Sequence, residues 1–421
     1  MEQIETQCAL DEHFTRLLAL ASRRYLTLDD LMNERLPSSM SFRETWEALT
    51  AIRRAGAIEV PFREVEGFDS WYAPTFHISQ TLRRLEHQCS ADSALARYVS
   101  QAKSSDIYAE NLADEIIGIA THDNVKLDRD RTIRFLTMRY APRNDSERLL
   151  RNIYTLMESL EEYRDEPFSV ELTERIYQRI INGVDMAQLD LTPESDQLET
   201  ASSRTHWATE KDHLDAMFAY ANGKIGDPFD PPLIRAAFLR TFFSFHQPWP
   251  SMNQTLGRFL FGLICLKNDL PFACTVPYSN KLLHWLEATR QHTPGAPTNG
   301  VAAWVTLALD LLEDAVNEVA QRIQQQQNDN RLMESMLSGT FMVNHRQRAL
   351  LSRALRNPHE TFLIRQHRID AQIAYATARN DFLELAQAGF FVQAKEGKRL
   401  VFRPSPDLPE KLRSMAQVLE A

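Results

Sequence analysis

The side chains with the most chemical potential lie in one short stretch, FSFHQPWPSMNQTLGRF, which holds His246, Ser251, Asn253, Gly257 and Arg258. An imidazole here can work as a base, or it can bond the last carbonyls of a helix that ends beside it. Asn253 and Arg258 can hold an anion, or they can pin a loop and a helix start. An arginine near a helix start is electrostatically unfavourable unless an anion or carboxylate partners it. Other chemistries find little support. Cys8, Cys89, Cys265 and Cys274 lack any paired short spacing, which speaks against a zinc ribbon or a disulfide framework. Neither GxxxxGK[ST] nor GxGxxG occurs, and 13 glycines against 19 prolines disfavour a Gly-rich phosphate-loop enzyme.

The surrounding chain has ordinary globular composition, with 421 residues, 43% apolar and 25% charged, enough for two or three domains. A net charge of -10 argues against a basic coat on nucleic acid or membrane. The start, MEQIETQCALDEHF, has no basic-then-apolar leader pattern. The apolar run from Phe259 to Leu266 is too short to cross a bilayer. A soluble cytoplasmic protein without a membrane partner is therefore expected. Charge is unevenly spread: residues 1–78 carry 8 basic and 13 acidic groups, residues 341–421 carry 13 and 8, and the middle holds the remaining -10. This partition suggests domains at 1–78, 79–340 and 341–421.

Periodicity and capping signals supply the elements. Phe14, Leu17, Leu18 and Ala21 share one helical face; Thr27 caps a short helix over 28–33; Ser41 and Glu44 form a capping box for a third, with Phe42, Trp46, Leu49 and Ile52 inward, that stops at Gly56. Two extended pieces around Glu66-Gly67 then read as a hairpin. In the middle, Asp145 is expected to cap a helix bearing Leu149, Leu150, Ile153, Met157 and Leu160, and Ser169 one bearing Leu172, Ile176 and Ile180. Residues 190–211 read as a polar loop, in which His206 and Trp207 are candidates for partner contact. Helices resume at His213, Pro232 and Gly257, and a long one bears Trp304, Leu307, Leu311, Ala315, Val319 and Ile323 before QQQQNDN. The last segment reads as helices over 346–356 and 364–372, a third from Tyr375 with Ala378, Phe382, Leu385 and Ala386 inward, a stop at Gly389, and a hairpin around Glu396-Gly397.

Helices followed by a hairpin, and the run TARNDFLELAQAGF, make the C-terminal segment resemble the winged helix-turn-helix family. The N-terminal segment has a similar order of elements. The stretch from Pro232 to Pro271 resembles the core of the Fic (Fido) family, where a helix ends in the loop HPFxxGNGRxxR and a second apolar helix follows. The resemblance spans residues 80 to 335. It implies a mainly α protein, a helical Fido-type core flanked by two small winged-helix modules. In that family the His is a general base, a carboxylate after the Phe binds Mg²⁺, the glycine-flanked Asn forms an anion nest and the last Arg pairs with phosphate, so that AMP passes from ATP to a protein hydroxyl. Carried onto this sequence with one inserted residue, Gln247, the pattern sets His246 on the base. Asn253, Gly257 and Arg258 then fall on phosphate-binding positions. Ser251 stands at the metal carboxylate, Met252 and Gln254 at the two glycines, and Thr255 at the first Arg. The family's inhibitory helix is matched best by ADEIIGIA, with Ala113, Ile117 and Gly118 at the Ser, Glu and Gly; Glu115 is expected to point away from Ile117.

These departures imply a catalytically degraded Fic-like protein that acts as a regulatory or interaction scaffold with no cofactor and no metal. Its DNA contacts would come from residues 341–403, through Arg365, Arg368, Tyr375, Thr377, Arg379, Lys398 and Arg399. On α-helical reading, Asp381 and Glu384 oppose Arg379. The acidic N-terminal module, whose only basic cluster is Arg43, Arg53 and Arg54 along its third helix, is expected to contact protein rather than DNA; a protein partner there or on the Fido core, and a homodimer, complete the expectation. Two other classes stay open. One is an adenylyltransferase using ATP and Mg²⁺ in a rearranged site; the other is a protein adaptor without nucleic acid.

Overall fold

A computed structural model describes residues 11–61, 71–101, 106–189, 207–226, 230–282, 284, 300–338, 343–356, 360–396 and 399–412. The protein is mainly α and divides into two compact units, Met1–Ala320 and Gln321–Ala421. The first begins with α1 (Glu12–Arg23), α2 (Leu28–Met32) and α3 (Phe42–Ala55), followed by the strand pair β1 (Ile58–Glu59) and β2 (Trp71–Tyr72). Thr27 with Asp30 and Ser41 with Glu44 close the two capping boxes, each satisfying orphan amides at a helix start. Strand pairing is antiparallel, Ile58 opposite Tyr72, and the turn around Glu66-Gly67 lies outside the described residues.

The inward face of α3 departs from the apolar pattern. Thr45, Leu49 and Arg53 are buried and Ile52 is 49% exposed. Arg53 donates to the Leu26 carbonyl at 3.2 Å and lies over the rings of Tyr25 and Trp46, so its aliphatic stem and its cation both find partners inside. The expected basic cluster on this helix is thereby dispersed: Arg53 faces the core, Arg43 pairs with Glu47 and Arg54 with Glu59.

The helical body comprises α4 (Phe76–Cys89), α5 (Ala94–Gln101), α6 (Asp106–His122), α7 (Arg129–Thr137), α8 (Asp145–Glu158), α9 (Val170–Ile180), α10 (Trp207–Ala221), α11 (Pro232–His246), α12 (Asn253–Lys267) and α13 (Gly300–Ser338). Tyr72 and Tyr220 both donate to the buried Asp230 carboxylate, at 2.6 and 2.7 Å, which ties β2 to the start of α11. Several helix starts differ from the sequence reading. Asn144, not Asp145, caps α8, because its side chain reaches the Glu147 amide. Helix α10 begins at Trp207 and α12 at Asn253, ahead of the starts that pattern alone suggested. The glutamine run lies within α13 rather than beyond it.

Helices α11 and α12 form the centre, with α6 and α9 packed on α12 and α10 on α11. Residues 111–120 of α6 are buried on every side, as are nearly all residues of α12. None of the described helices is long and apolar enough to cross a membrane.

The second unit contains α14 (His345–Arg356), β3 (Phe362–Leu363), α15 (Ile364–Asp370), α16 (Tyr375–Gln387), β4 (Phe391–Glu396) and β5 (Arg399–Pro404). The strands form an antiparallel sheet in the order β3-β5-β4, with Phe402 opposite both Phe362 and Gln393. Strand β3 has no counterpart in the sequence reading, since two residues are too few for a periodic signal. Leu351, Phe382 and Phe402 centre the core, and the last two rings stack at 4.7 Å. Helix α15 stops at Asp370 rather than Gln372, which takes a left-handed φ of 52°.

Close packing at the centre depends on glycine. A β-carbon on Gly118 would stand 2.5 Å from the backbone nitrogen of Asn280, and one on Gly257 would stand 2.9 Å from Phe243 Cβ. Gly118→Ala meets rigid backbone and should destabilise the protein by roughly 1–3 kcal/mol in urea unfolding. An unchanged midpoint would show that α6 and the 276–282 segment can separate freely.

Candidate functional site

The loop between α11 and α12 is held from within. Gln247 and Met252, at its two ends, take left-handed φ values of 43° and 58°. Asn253 closes the turn with both ends of its amide: Oδ1 accepts from the Trp249 backbone N–H at 2.9 Å and Nδ2 donates to the Trp249 carbonyl at 2.7 Å. The Trp249 indole is buried, stacks on Phe243 at 5.6 Å and donates to Glu174 at 3.0 Å. Ser251 and Tyr177 share a hydrogen bond of 3.1 Å. The hydroxyl at this position is thus tied to α9, and it carries no charge for a divalent cation.

The start of α12 holds an anion supplied by the chain itself. Asp123, immediately after α6, accepts from the backbone N–H of Gln254 and of Thr255 at 3.0 Å each, and from the Thr255 hydroxyl at 2.6 Å. It serves as the cap that Met252 has no side-chain oxygen to provide. A β-carbon disfavours the positive φ that glycine adopts freely in a nest-like turn, yet one of the two positions takes it. Met252 adopts the left-handed conformation despite its side chain, because the amides beyond it gain a full carboxylate partner. Gln254 stays helical, and its side chain accepts from the Ser244 hydroxyl at 2.8 Å.

Arg258 is wholly buried and ion-paired with Glu115. The same carboxylate accepts from the Ser279 backbone N–H at 2.7 Å and hydroxyl at 2.8 Å. Glu115 and Ile117 lie on opposite faces of α6, but neither face meets water. Helix α6 is covered on all sides, so the face opposite Ile117 also meets protein, and there it meets Arg258. Gly257 lies against α11 between Arg240 and Phe243. His246, half-buried at the end of α11, stacks on Phe242 at 4.5 Å. Burial, and after it the neighbouring His213, pushes its imidazole down to about 4. It is neutral at pH 7 and a weak base. Asn253, Gly257 and Arg258 therefore each have an internal engagement: a loop, a helix contact and an ion pair.

In the second unit Arg365, Arg368, Tyr375 and Arg379 are exposed and Thr377 is half-buried. Lys398 and the side chain of Arg399 lie outside the described residues. Asp381 does not oppose Arg379 at the surface. It is buried, accepts from Arg346 at 3.0 and 3.1 Å and from Asn344 at 3.2 Å, and pairs with His367 at 3.0 Å. Glu384 accepts from Gln347. One buried carboxylate thus ties α14, α15 and α16 together, and leaves the outer face of α15 and α16 more positive than a sequence count suggests.

Among the described residues no three His, Cys, Asp or Glu side chains are grouped so as to hold a metal ion. No family model matches the sequence, and no curated protein matches it. Among solved structures the chain is similar to a Fic family protein from Desulfovibrio desulfuricans G20, with TM-score 0.48 and 14% identity, over 83% of this chain and 98% of that one.

Two titratable groups flank the loop and act in opposite directions. The depressed His246 contributes stability that is present above its ordinary 6.5 and lost as pH falls toward 4. Burial pushes Asp123 up to about 6 against the hydrogen bonds that lower it, so its contribution is present below 3.8 and lost as pH rises through 6. Between pH 4 and 6 the two offset each other. Unfolding free energies across this window should slope down toward acid in Asp123→Asn and up toward acid in His246→Phe, each relative to wild type. Parallel slopes in the two variants would contradict these assignments.

Proposed function

We propose that the chain is a Fic-like protein in which metal-dependent nucleotide transfer is no longer supported, and which serves as a regulatory scaffold that contacts DNA through a winged helix at residues 341–403. The Fic-like part rests on the stretch from Pro232 to Pro271 and on its position, a loop joining two central buried helices. The loss of transfer is carried by one observation. Both anion-holding parts of the stretch are engaged by the chain's own carboxylates, the α12 amides by Asp123 and Arg258 by Glu115. A bound diphosphate would have to displace Asp123 and break a buried ion pair, and breaking such a pair costs about 3–5 kcal/mol. Ser251 in place of a metal carboxylate removes a further contribution.

The reading of the second unit rests on the order helix–strand–helix–helix–hairpin and on Arg365, Arg368 and Arg379. These three are exposed and have no ion-pair partner among the described residues, and Tyr375 is exposed beside them in sequence. Pairing of such arginines with phosphates releases counterions and gives a steep salt dependence.

Two experiments test these statements. Intact-mass analysis after incubation with ATP, Mg²⁺ and cell lysate is expected to reveal no added nucleotide on any protein; addition by wild type that vanishes in His246→Ala would establish transfer instead. Binding to mixed duplex DNA should weaken with salt, and each of Arg365→Ala, Arg368→Ala and Arg379→Ala should flatten the log–log slope by about 0.9. Absence of binding at low salt would leave a scaffold for proteins alone.

A further inference from the structure

Around Ser279 two buried guanidiniums share one buried carboxylate. Arg240 in α11 is 4% exposed and Arg258 in α12 is 0% exposed. Glu115 is the carboxylate that acts on both. Its oxygens are committed to the Arg258 guanidinium and to the Ser279 backbone N–H and hydroxyl. Arg240 reaches it only through Ser279, by one hydrogen bond from Nη2 to Oγ at 2.8 Å. The Nε and Nη1 atoms of Arg240, and Nη1 of Arg258, are buried without a hydrogen-bond partner among the described residues.

Among the described residues no further acidic side chain supplies the missing charge. The groups acting on Arg240 are Tyr278, Glu115 and Arg258, and those acting on Arg258 include Cys274 and Cys265. Burial raises the Tyr278 phenol and the Cys265 thiol and pushes the Cys274 thiol up to about 12, so all three are neutral at pH 7. A guanidinium cannot relieve the imbalance by losing its proton. The Tyr278 ring, 4.2 Å from the guanidinium carbon, offers a cation–π contact, which returns far less than an uncompensated buried charge costs.

We propose that Arg240 holds a small monovalent anion, of halide or nitrate size, in the core of the first unit. One negative charge restores neutrality among Arg240, Arg258 and Glu115, whereas sulfate or phosphate would overshoot it. The unpartnered Arg240 donors supply the hydrogen bonds, and their full burial limits the ligand to an ion of a few atoms. This site is separate from the α12 amides held by Asp123 and does not depend on any transfer activity.

Thermal unfolding of the full chain in sodium chloride, bromide and gluconate at equal ionic strength tests the proposal, since screening is then the same in all three. A saturable rise in Tm is expected with chloride and bromide over gluconate. Arg240→Met, which keeps the length of the stem and removes the charge, should lose that increment. Equal Tm values in chloride and gluconate, or an undiminished increment in Arg240→Met, would overturn the proposal. If Arg240→Met does not fold, crystals of the wild type grown in bromide decide the matter: anomalous density beside the Arg240 guanidinium supports the site, and its absence at saturating bromide refutes it.

Discussion

Helix α12 is covered on almost every side, and that single constraint organises the first unit. A buried helix start exposes amides that water cannot reach, and a buried arginine in its first turns cannot be solvated. Both demands are met from one direction. Asp123 satisfies the amides of Gln254 and Thr255, Glu115 neutralises Arg258, and the two carboxylates lie on or just beyond α6. The close approach that this requires explains the small residues at the contacts. Gly118 lets the 276–282 segment lie against α6, and Gly257 lets α11 lie against α12.

The same arrangement restricts chemistry. Anion-binding groups act on a ligand only when their donors are free to meet it, and in the 246–258 stretch Asp123 engages the α12 amides and Glu115 engages Arg258. His246 follows the same logic from the other side. Its burial keeps it neutral, but the desolvation that achieves this also lowers its basicity, so the residue is better placed as a packed ring on Phe242 than as a proton acceptor. In the second unit burial works in the opposite sense for function. By drawing Asp381 inward to Arg346 and His367, it stabilises the three-helix core and removes a competing negative charge from the outer face of α15 and α16.

What the sequence determined by itself was local. The two capping boxes, Ser169 as a cap, the turn at Gly389 and the amphipathic helices of the second unit all depend on residues a few positions apart, where propensity and period carry the information. The position of the 246–258 stretch between two apolar helices was legible in the same way. Tertiary structure alone decided which of its polar residues remain available. Glu115 and Arg258 are 143 residues apart, and Asp123 and Gln254 are 131 apart. No periodicity connects such positions. Helical-wheel reasoning also assumes one wet face, and it fails for α6, where every face meets protein, and for α3, where Arg53 replaces Ile52 in the core. The roles of these residues follow from desolvation, which acts on a charge only once the rest of the chain has closed around it.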